Sequence, residues 1–217
     1  MKPSGGIKRR RGFTLIELLV ATLVSALIAA VALAMFANAK RRSGSICCNC
    51  NLKQIAISFK TWAWDNTNVF PMAISTNLGG TREYLATSET FRHFQVMSNE
   101  LASTVLLICP QDKRARSKSF GQEFTNSSVS YFVGAVDNNE KPQMFLAGDR
   151  HLTGGKALPS GIIEFTTNDI PNWNLRLGHR TFGNVALADG SVQGFSAQGL
   201  QTALLNTGSP TNQLAMP

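Results

Sequence analysis

A long apolar segment near the N-terminus constrains this chain more than any other feature of its sequence. Residues 13–39 are almost all apolar, and they follow Gly12 and the basic run of residues 8–11. About 20 apolar residues suffice to cross a bilayer as a helix, so the segment predicts a membrane-spanning helix. A secretory signal peptide has an apolar core of only about 7–15 residues before a small-residue cleavage site, and this segment does not match that pattern.

Glu17 is the one charged residue within this apolar segment. An ionised carboxylate costs on the order of 2.5–3.5 kcal/mol at the centre of a bilayer and less near its surface. Because Glu17 lies close to the start of the segment, the cost is tolerable, but it still predicts a partner for the carboxylate.

The motif GFTLIE at residues 12–17 resembles the processing site of type IV pilins and type II secretion pseudopilins. The resemblance implies that a prepilin peptidase cuts after Gly12 and methylates the new N-terminal residue, Phe13. It also implies that Glu17, the fifth residue of the mature chain, acts in assembly, paired with the Phe13 amino group of an adjacent subunit. The chain would then be a structural subunit of a pilus or pseudopilus, not an enzyme, with copies of itself or related pilins as partners.

The distribution of charge indicates membrane topology. The net charge is +8, and eight of the 21 basic side chains lie in residues 1–42, where Glu17 is the only acid. The remaining residues are nearly neutral, so no nucleic-acid partner is expected. Residues 40–42 are basic too, but the leader carries more positive charge, so the N-terminus is predicted to be cytoplasmic before processing. The head would then face the periplasm or the cell surface.

Three regions are expected: a prepilin leader at 1–12, a transmembrane and assembly helix at 13–39, and a head at 40–217. The helix should continue into the head, to about residue 64, because Leu52, Ile55 and Phe59 recur at helical spacing. We therefore predict a pilin-like α+β fold, in which the second half of a long N-terminal helix packs on a C-terminal antiparallel sheet.

Local patterns predict the remaining elements of the head. Between the helix and the sheet we expect a helix over 89–102, a buried strand or extended run over 104–109 and a solvated basic loop over 111–119. In the last hundred residues we expect strands over 129–136, 143–147, 161–166, 184–188 and 191–196, then a helix over 197–205 and an extended tail. The Asp189-Gly190 pair predicts a tight hairpin between the last two strands.

His179, followed after nine residues by Asp189-Gly190, resembles a C-terminal signature of a large pseudopilin-like family. Together with Asp149 and Arg150 it supplies the densest polar groups of the predicted sheet. One interpretation of this polar cluster is structural, with His179 and Asp149 hydrogen-bonded to loops at one end of the sheet and Asp189 serving the turn. The alternative is a membrane-anchored binding module, or a hydrolase that uses His179 as a general base. No nucleophile elbow or histidine metal motif accompanies them, so we favour the structural interpretation.

Cys48 and Cys109 are the predicted disulfide pair. Cys48 precedes Leu52 by four residues and so projects from the same face of the helix, and Cys109 ends an apolar run that should pack there. Cys47 and Cys50 project in other directions. A buried pair of free thiols is the alternative, and the state of Cys47 and Cys50 stays open. The Cys-Cys-Asn-Cys run lacks the usual zinc-ligand spacing, so no metal site is expected.

The turn at residues 137–140 (Asp-Asn-Asn-Glu) could supply oxygen ligands to calcium. It lacks the D-x-D-x-D-G pattern of a calcium loop. No cofactor is therefore expected, and calcium is kept only as a weaker alternative.

Overall fold

The computed structural model describes residues 12–137, 141–174 and 182–217. The chain divides into two compact units, Met1–Arg42 and Ser43–Pro217. The first helix, α1 (Leu15–Asp65), contributes residues to both units. Its bounds agree with the sequence prediction.

In the first unit, α1 is strongly apolar. Within the described residues, Leu15–Phe36 is the one segment long and apolar enough to cross a membrane, with 22 residues and a mean hydropathy of 2.6. Its large side chains are exposed, for example Leu23 and Leu27 at 65% each. This segment is therefore long enough to span a bilayer, and its exposed apolar surface is of the kind that lipid or other apolar helices cover.

The second unit contains short helices and short strands. Besides α1 the α-helices are α2 (Phe91–Gln95), α3 (Ser98–Leu101) and α4 (Ala197–Asn206). The 3₁₀ helices are Pro71–Ala73, Thr76–Leu78, Arg82–Ala86, Thr104–Leu107 and Asn126–Ser128. The strands are β1 (Tyr131–Gly134), β2 (Phe145–Asp149), β3 (Leu152–Thr153), β4 (Lys156–Ala157), β5 (Ile162–Thr166), β6 (Asn172–Trp173), β7 (Gly183–Leu187), β8 (Val192–Phe195) and β9 (Thr211–Ala215).

Seven of these strands form one antiparallel sheet in the order β4-β5-β9-β1-β2-β7-β8, while β3 pairs with β6 separately. The predicted α+β class, a long N-terminal helix with an antiparallel sheet, is confirmed. The predicted β7–β8 hairpin is present, and β1 and β2, which lie in two of the predicted strand regions, pair as antiparallel neighbours. Gly190 adopts a φ of +86° in the β7–β8 turn, a conformation that glycine reaches without steric cost.

The sheet buries a different set of side chains on each face, because alternate residues of a strand point to opposite sides. Tyr131 and Val133 of β1 join the core that contains Leu52 and Phe59 of α1. Phe132, between them in sequence, joins the second core. That core also contains Leu200 and Leu204 of α4. The sheet of the second unit is thus covered by α1 on one face and by α4 on the other.

Two of the predicted elements between α1 and the sheet are wrong in detail. The region 89–102 forms two short helices, and Ala102 ends the second with a φ of +57°. The region 104–109 begins as a 3₁₀ helix, Thr104–Leu107, where the sequence predicted an extended run. The Ser103 hydroxyl accepts a hydrogen bond from the Val105 N–H, a local cap that favours a helical turn over a strand.

The predicted extended tail is a strand inside the sheet. β9 (Thr211–Ala215) lies between β5 and β1 and pairs with both. Its side chains alternate between exposed and buried at the positions of Gln213 and Leu214. The polar composition of this segment concealed its central position.

Candidate functional site

The predicted cleavage site lies just before α1 begins. Gly12 and Phe13 lie outside regular secondary structure, and the Phe13 side chain is 81% exposed. A Cβ built on Gly12 would meet no atom within 4 Å. The Gly12–Phe13 peptide bond is therefore exposed and lies outside the helix.

Glu17 has a hydrogen-bond partner within its own chain. Its Oε2 accepts hydrogen bonds from the Thr14 backbone N–H and from the Thr14 hydroxyl, each at 2.8 Å. The Thr14 hydroxyl in turn accepts from the Glu17 N–H at 3.3 Å. This reciprocal arrangement is a capping box, which satisfies backbone donors at the start of a helix. The T-x-x-E spacing was visible in the sequence, but we had expected only a partner in another subunit.

Local capping satisfies hydrogen bonds but does not neutralise the Glu17 charge. The carboxylate sits among apolar neighbours with exposed side chains, among them Ile16 and Leu18 at 69% and 60%. A carboxylate on such a surface needs a counter-charge once lipid or another helix covers that surface.

In the second unit, the Asp189-Gly190 turn is held against α1. Lys53 Nζ donates to the Gly190 carbonyl at 2.6 Å, and Lys60 Nζ donates to the Asp189 carbonyl at 2.9 Å. The Asp189 carboxylate accepts from the Ser191 N–H at 2.7 Å, within the turn. Both turn residues therefore make contacts that hold the turn in place.

Asp149 lies at the other end of the same pair of strands. The register places Asp149 next to the start of β7, where the Asn184 N–H and side-chain amide donate to Asp149 Oδ2 at 2.7 and 3.0 Å. Asp189 follows the end of β7 instead. The structure thus separates Asp149 from Asp189, and the expected single cluster is not formed by these two residues. His179 lies outside the described residues, as do residues 138–140 of the calcium alternative.

Asp149 is almost fully buried, with 3% of its surface exposed. Burial raises the pKa of its carboxyl to about 6, and the two hydrogen bonds from Asn184 only partly oppose this effect. A carboxyl so enclosed is not accessible to a substrate from solvent.

Arg150 has a buried partner that the sequence did not reveal. Its Nε and Nη2 donate to the two oxygens of Asp112 at 2.7 and 3.0 Å, and the Asp112 side chain is only 3% exposed. His151 Nε2 lies 4.0 Å from the same carboxylate. Burial acts to raise the pKa of Asp112, but the hydrogen bonds from Arg150 and Ser130, together with the charges of Arg150 and His151, hold it below its ordinary value.

The basic loop at 111–119 is only partly solvated. Lys113, Arg116 and Lys118 are exposed, as predicted, but Arg114 is partly buried. Its guanidinium donates to the backbone carbonyls of Asn126, Val129 and Pro217. Burial and then the charge of Arg150 lower the pKa of Arg114, and the charge of Asp112 acts in the opposite direction.

The structure joins Cys48 and Cys109 as a disulfide with their Cα atoms 5.3 Å apart. Both are buried, at 0% and 3% exposure, whereas Cys47 and Cys50 are free and exposed. The pairing places α1 against the segment that follows Thr104–Leu107. Formation of the Cys48–Cys109 bond in the protein stays a prediction, and non-reducing peptide mapping tests it.

A model of the prokaryotic N-terminal methylation motif matches residues 7–33. No curated protein and no solved structure matches the chain. The motif match supports a type IV pilin-like prepilin, a class whose members are structural subunits. It covers the processing site and most of the apolar segment but none of the head.

Proposed function

We propose that the chain is a prepilin-like structural subunit that is cut after Gly12, methylated on Phe13 and assembled through α1 into a pilus or a type II secretion pseudopilus. The single observation that carries this proposal is the exposed apolar helix that begins directly after the Gly12–Phe13 bond and carries Glu17 in its first turn. The match to the N-terminal methylation motif supports the processing step.

The proposal assigns two roles to the apolar helix. Before assembly, Leu15–Phe36 holds the chain in the inner membrane, with the basic leader on the cytoplasmic side and the head outside. During assembly, the same surface packs against other subunits. Glu17 argues for the second role, because in a helix that only anchors a protein the carboxylate would supply no more than a cap at the first turn and would still place a charge in the apolar surface.

Cleavage would create the counter-charge that Glu17 lacks. Once the Gly12–Phe13 bond is cut, Phe13 carries an amino group, and the amino group of an adjacent copy can pair with the Glu17 carboxylate. Opposite charges attract far more strongly in an apolar setting than in water. The prepilin peptidase and other copies of this chain, or related pilins, are therefore the proposed partners.

The hydrolase and binding-module alternatives gain no support from the described residues. Asp149 is enclosed and held by Asn184, and Asp189 serves a turn at the other end of the β2–β7 pair. Both groups are accounted for by contacts that position the backbone.

Processing is tested by mass spectrometry of the N-terminal peptide from membranes that contain active peptidase. We expect a peptide that begins with N-methylated Phe13. Gly12→Ala should be cut more readily than Gly12→Leu, because the site requires a small residue. Intact leader peptide from the unaltered chain under these conditions would refute the processing step.

Assembly is tested by comparing Glu17→Gln with Glu17→Ala. A glutamine keeps the capping acceptor for Thr14 but removes the charge, whereas alanine removes both. If charge pairing drives assembly, both variants should insert normally into the membrane, yet neither should yield filaments when cells are sheared. Wild-type filament yield from Glu17→Gln would show that only the cap matters and would refute the pairing.

A further inference from the structure

A buried group of potential metal ligands surrounds the Cys48–Cys109 bond. The two sulfur atoms and a carboxylate oxygen of Asp149 all lie within 4.8 Å of one another, and all three residues are buried. They come from three separate elements, because Cys48 is on α1, Cys109 follows the 3₁₀ helix Thr104–Leu107, and Asp149 ends β2. No sequence motif links them, and neither the pilin-like processing site nor the proposed assembly uses them.

The distances suit a tetrahedral zinc-type ion after reduction of the disulfide. Zinc binds thiolate sulfur at about 2.3 Å and carboxylate oxygen at about 2.0–2.2 Å, so its ligand atoms lie roughly 3.3–3.8 Å apart. Reduction would let the two sulfurs separate to that spacing. Asp149, within 4.8 Å of both sulfurs, would need to approach by no more than about 1.5 Å.

We propose that the dithiol form of the head binds one zinc-type divalent cation through Cys48, Cys109 and Asp149. Reduction by a dithiol breaks the Cys48–Cys109 bond, oxidises the reductant to its own disulfide and leaves two thiols. Binding of the cation releases both thiol protons. The disulfide and the metal are therefore mutually exclusive ways to connect α1 to the rest of the head.

The surroundings of Asp149 are those of an oriented ligand. The Asn184 N–H and side-chain amide both donate to Asp149 Oδ2, which fixes the carboxylate in the manner typical of groups that support metal ligands. Tyr131 lies directly opposite Asp149 in the β1–β2 register. Its hydroxyl is buried beside the Asn51 side chain. The proposal leaves the fourth tetrahedral position to a water molecule.

Nearby charges compensate the site. Two thiolates and one carboxylate around a divalent cation leave a net charge of −1. The guanidinium groups of Arg150 and Arg114 near the site each carry a charge of +1, and Asp112 carries −1, so these three side chains together carry +1. The buried region as a whole is then neutral, which lowers the cost of placing an ion there.

Metal titration of the full chain in detergent tests the proposal. Cys47→Ser and Cys50→Ser are introduced together, so that Cys48 and Cys109 are the only thiols. The protein is reduced with a phosphine, which takes up oxygen from water as the disulfide becomes two thiols, and the phosphine is removed without air. We expect one Co²⁺ per chain, with tetrahedral d–d bands and charge-transfer absorption from two thiolates, and displacement of the Co²⁺ by Zn²⁺. The oxidised protein should bind neither ion.

Asp149→Asn, in the same background, should weaken Co²⁺ affinity at least tenfold. Asp189→Asn removes an exposed carboxylate far along the same strands and should leave the affinity unchanged. Circular dichroism of each oxidised variant checks that the fold is kept. X-ray absorption of the zinc form of the Cys47→Ser/Cys50→Ser protein gives a second readout and should count two sulfur ligands with oxygen in the remaining positions. Absence of stoichiometric binding, equal binding by the oxidised protein, unchanged affinity in a folded Asp149→Asn variant, or a different sulfur count would overturn the proposal.

Discussion

The two units of this chain use apolar side chains in opposite ways. In the first unit, Leu18, Leu23 and Leu27 are 60–65% exposed. In the second unit, Leu52 and Phe59 of the same helix are completely buried. The apolar side chains of the first unit therefore need lipid or other helices to cover them, whereas those of the second unit pack into a core of their own. Changes in the first unit should therefore affect assembly, and changes in the second unit should affect the stability of the head.

The largest effect should come from the disulfide, which belongs only to the second unit. Cys48 and Cys109 are 61 residues apart, and on the chain-entropy model closing such a loop contributes about 4 kcal/mol. Reduction in the presence of a metal chelator should lower the free energy of unfolding by that amount. Urea unfolding, followed through the buried Trp62 and Trp173, measures the change.

Two controls accompany this measurement. Cys50→Ser alters an exposed free thiol and should leave the unfolding curve unchanged. Non-reducing peptide mapping should yield a Cys48–Cys109 cross-linked peptide. Alkylation of Cys109 in the native, unreduced protein would show that the bond is absent.

The next largest effect should follow from Arg150→Leu. This change leaves the buried Asp112 carboxylate without its bidentate partner, and breaking a buried pair on one side costs about 3 kcal/mol or more. Arg82→Leu is the matched control, because the Arg82–Glu83 pair is exposed and should contribute less than about 1 kcal/mol. Equal unfolding midpoints for the two variants in urea would show that burial does not strengthen the Asp112–Arg150 pair.

How far the sequence could predict the molecule depends on how local each signal is. The β7–β8 hairpin was predicted because Asp189-Gly190 sets its own turn, and α1 because the apolar run at residues 13–39 is followed by apolar residues at helical spacing. β9 was not predicted as a strand, since residues 211–215 are polar and become a strand only between β5 and β1. The Asp112–Arg150 pair joins residues 38 positions apart, and nothing near either residue indicates the other.

The same reasoning separates the parts of the candidate site. Gly12, Phe13 and Glu17 form a contiguous motif and could be read directly. The register of β2 and β7 places Asp149 and Asp189, two members of the predicted polar cluster, at opposite ends of this strand pair, and nothing near either residue in the sequence indicates that separation. The His179 and Gly190 signature stays a prediction, since His179 lies outside the described residues.

Stability of the second unit should also depend on pH through two buried groups with opposite signs. Burial lowers the pKa of His93 to about 4 from 6.5. The stability that the neutral His93 side chain contributes is therefore fully present above about pH 6.5 and is lost as the pH falls towards 4. Burial raises the pKa of Asp149 to about 6 from 3.8. The stability that the protonated Asp149 carboxyl contributes is therefore fully present below about pH 3.8 and is lost as the pH rises through 6.

Variants at these two positions separate the contributions. Between pH 7.5 and 5, wild type should lose about 2 kcal/mol relative to His93→Gln, because only the histidine must stay neutral in the fold. Over the same range, wild type should gain about 1 kcal/mol relative to Asp149→Asn. Urea unfolding at both pH values measures the differences. Parallel pH profiles for wild type and His93→Gln would contradict the assigned role of His93.

The smallest effect should be confined to the first unit, where the capping box holds the start of α1. Thr14→Ala removes the hydroxyl that exchanges hydrogen bonds with Glu17, and loss of such a cap costs about 1 kcal/mol of local helix stability. Amide hydrogen exchange of the first turn should therefore accelerate about fivefold in detergent, while the unfolding of the head stays unchanged. Thr22→Ala is the matched control, because the Thr22 hydroxyl donates to the Leu19 carbonyl in the middle of the helix and caps no N–H group. If both variants exchange their first-turn amides at the wild-type rate, Thr14 does not stabilise the start of the helix. Glu17 would then depend entirely on a partner outside its own chain.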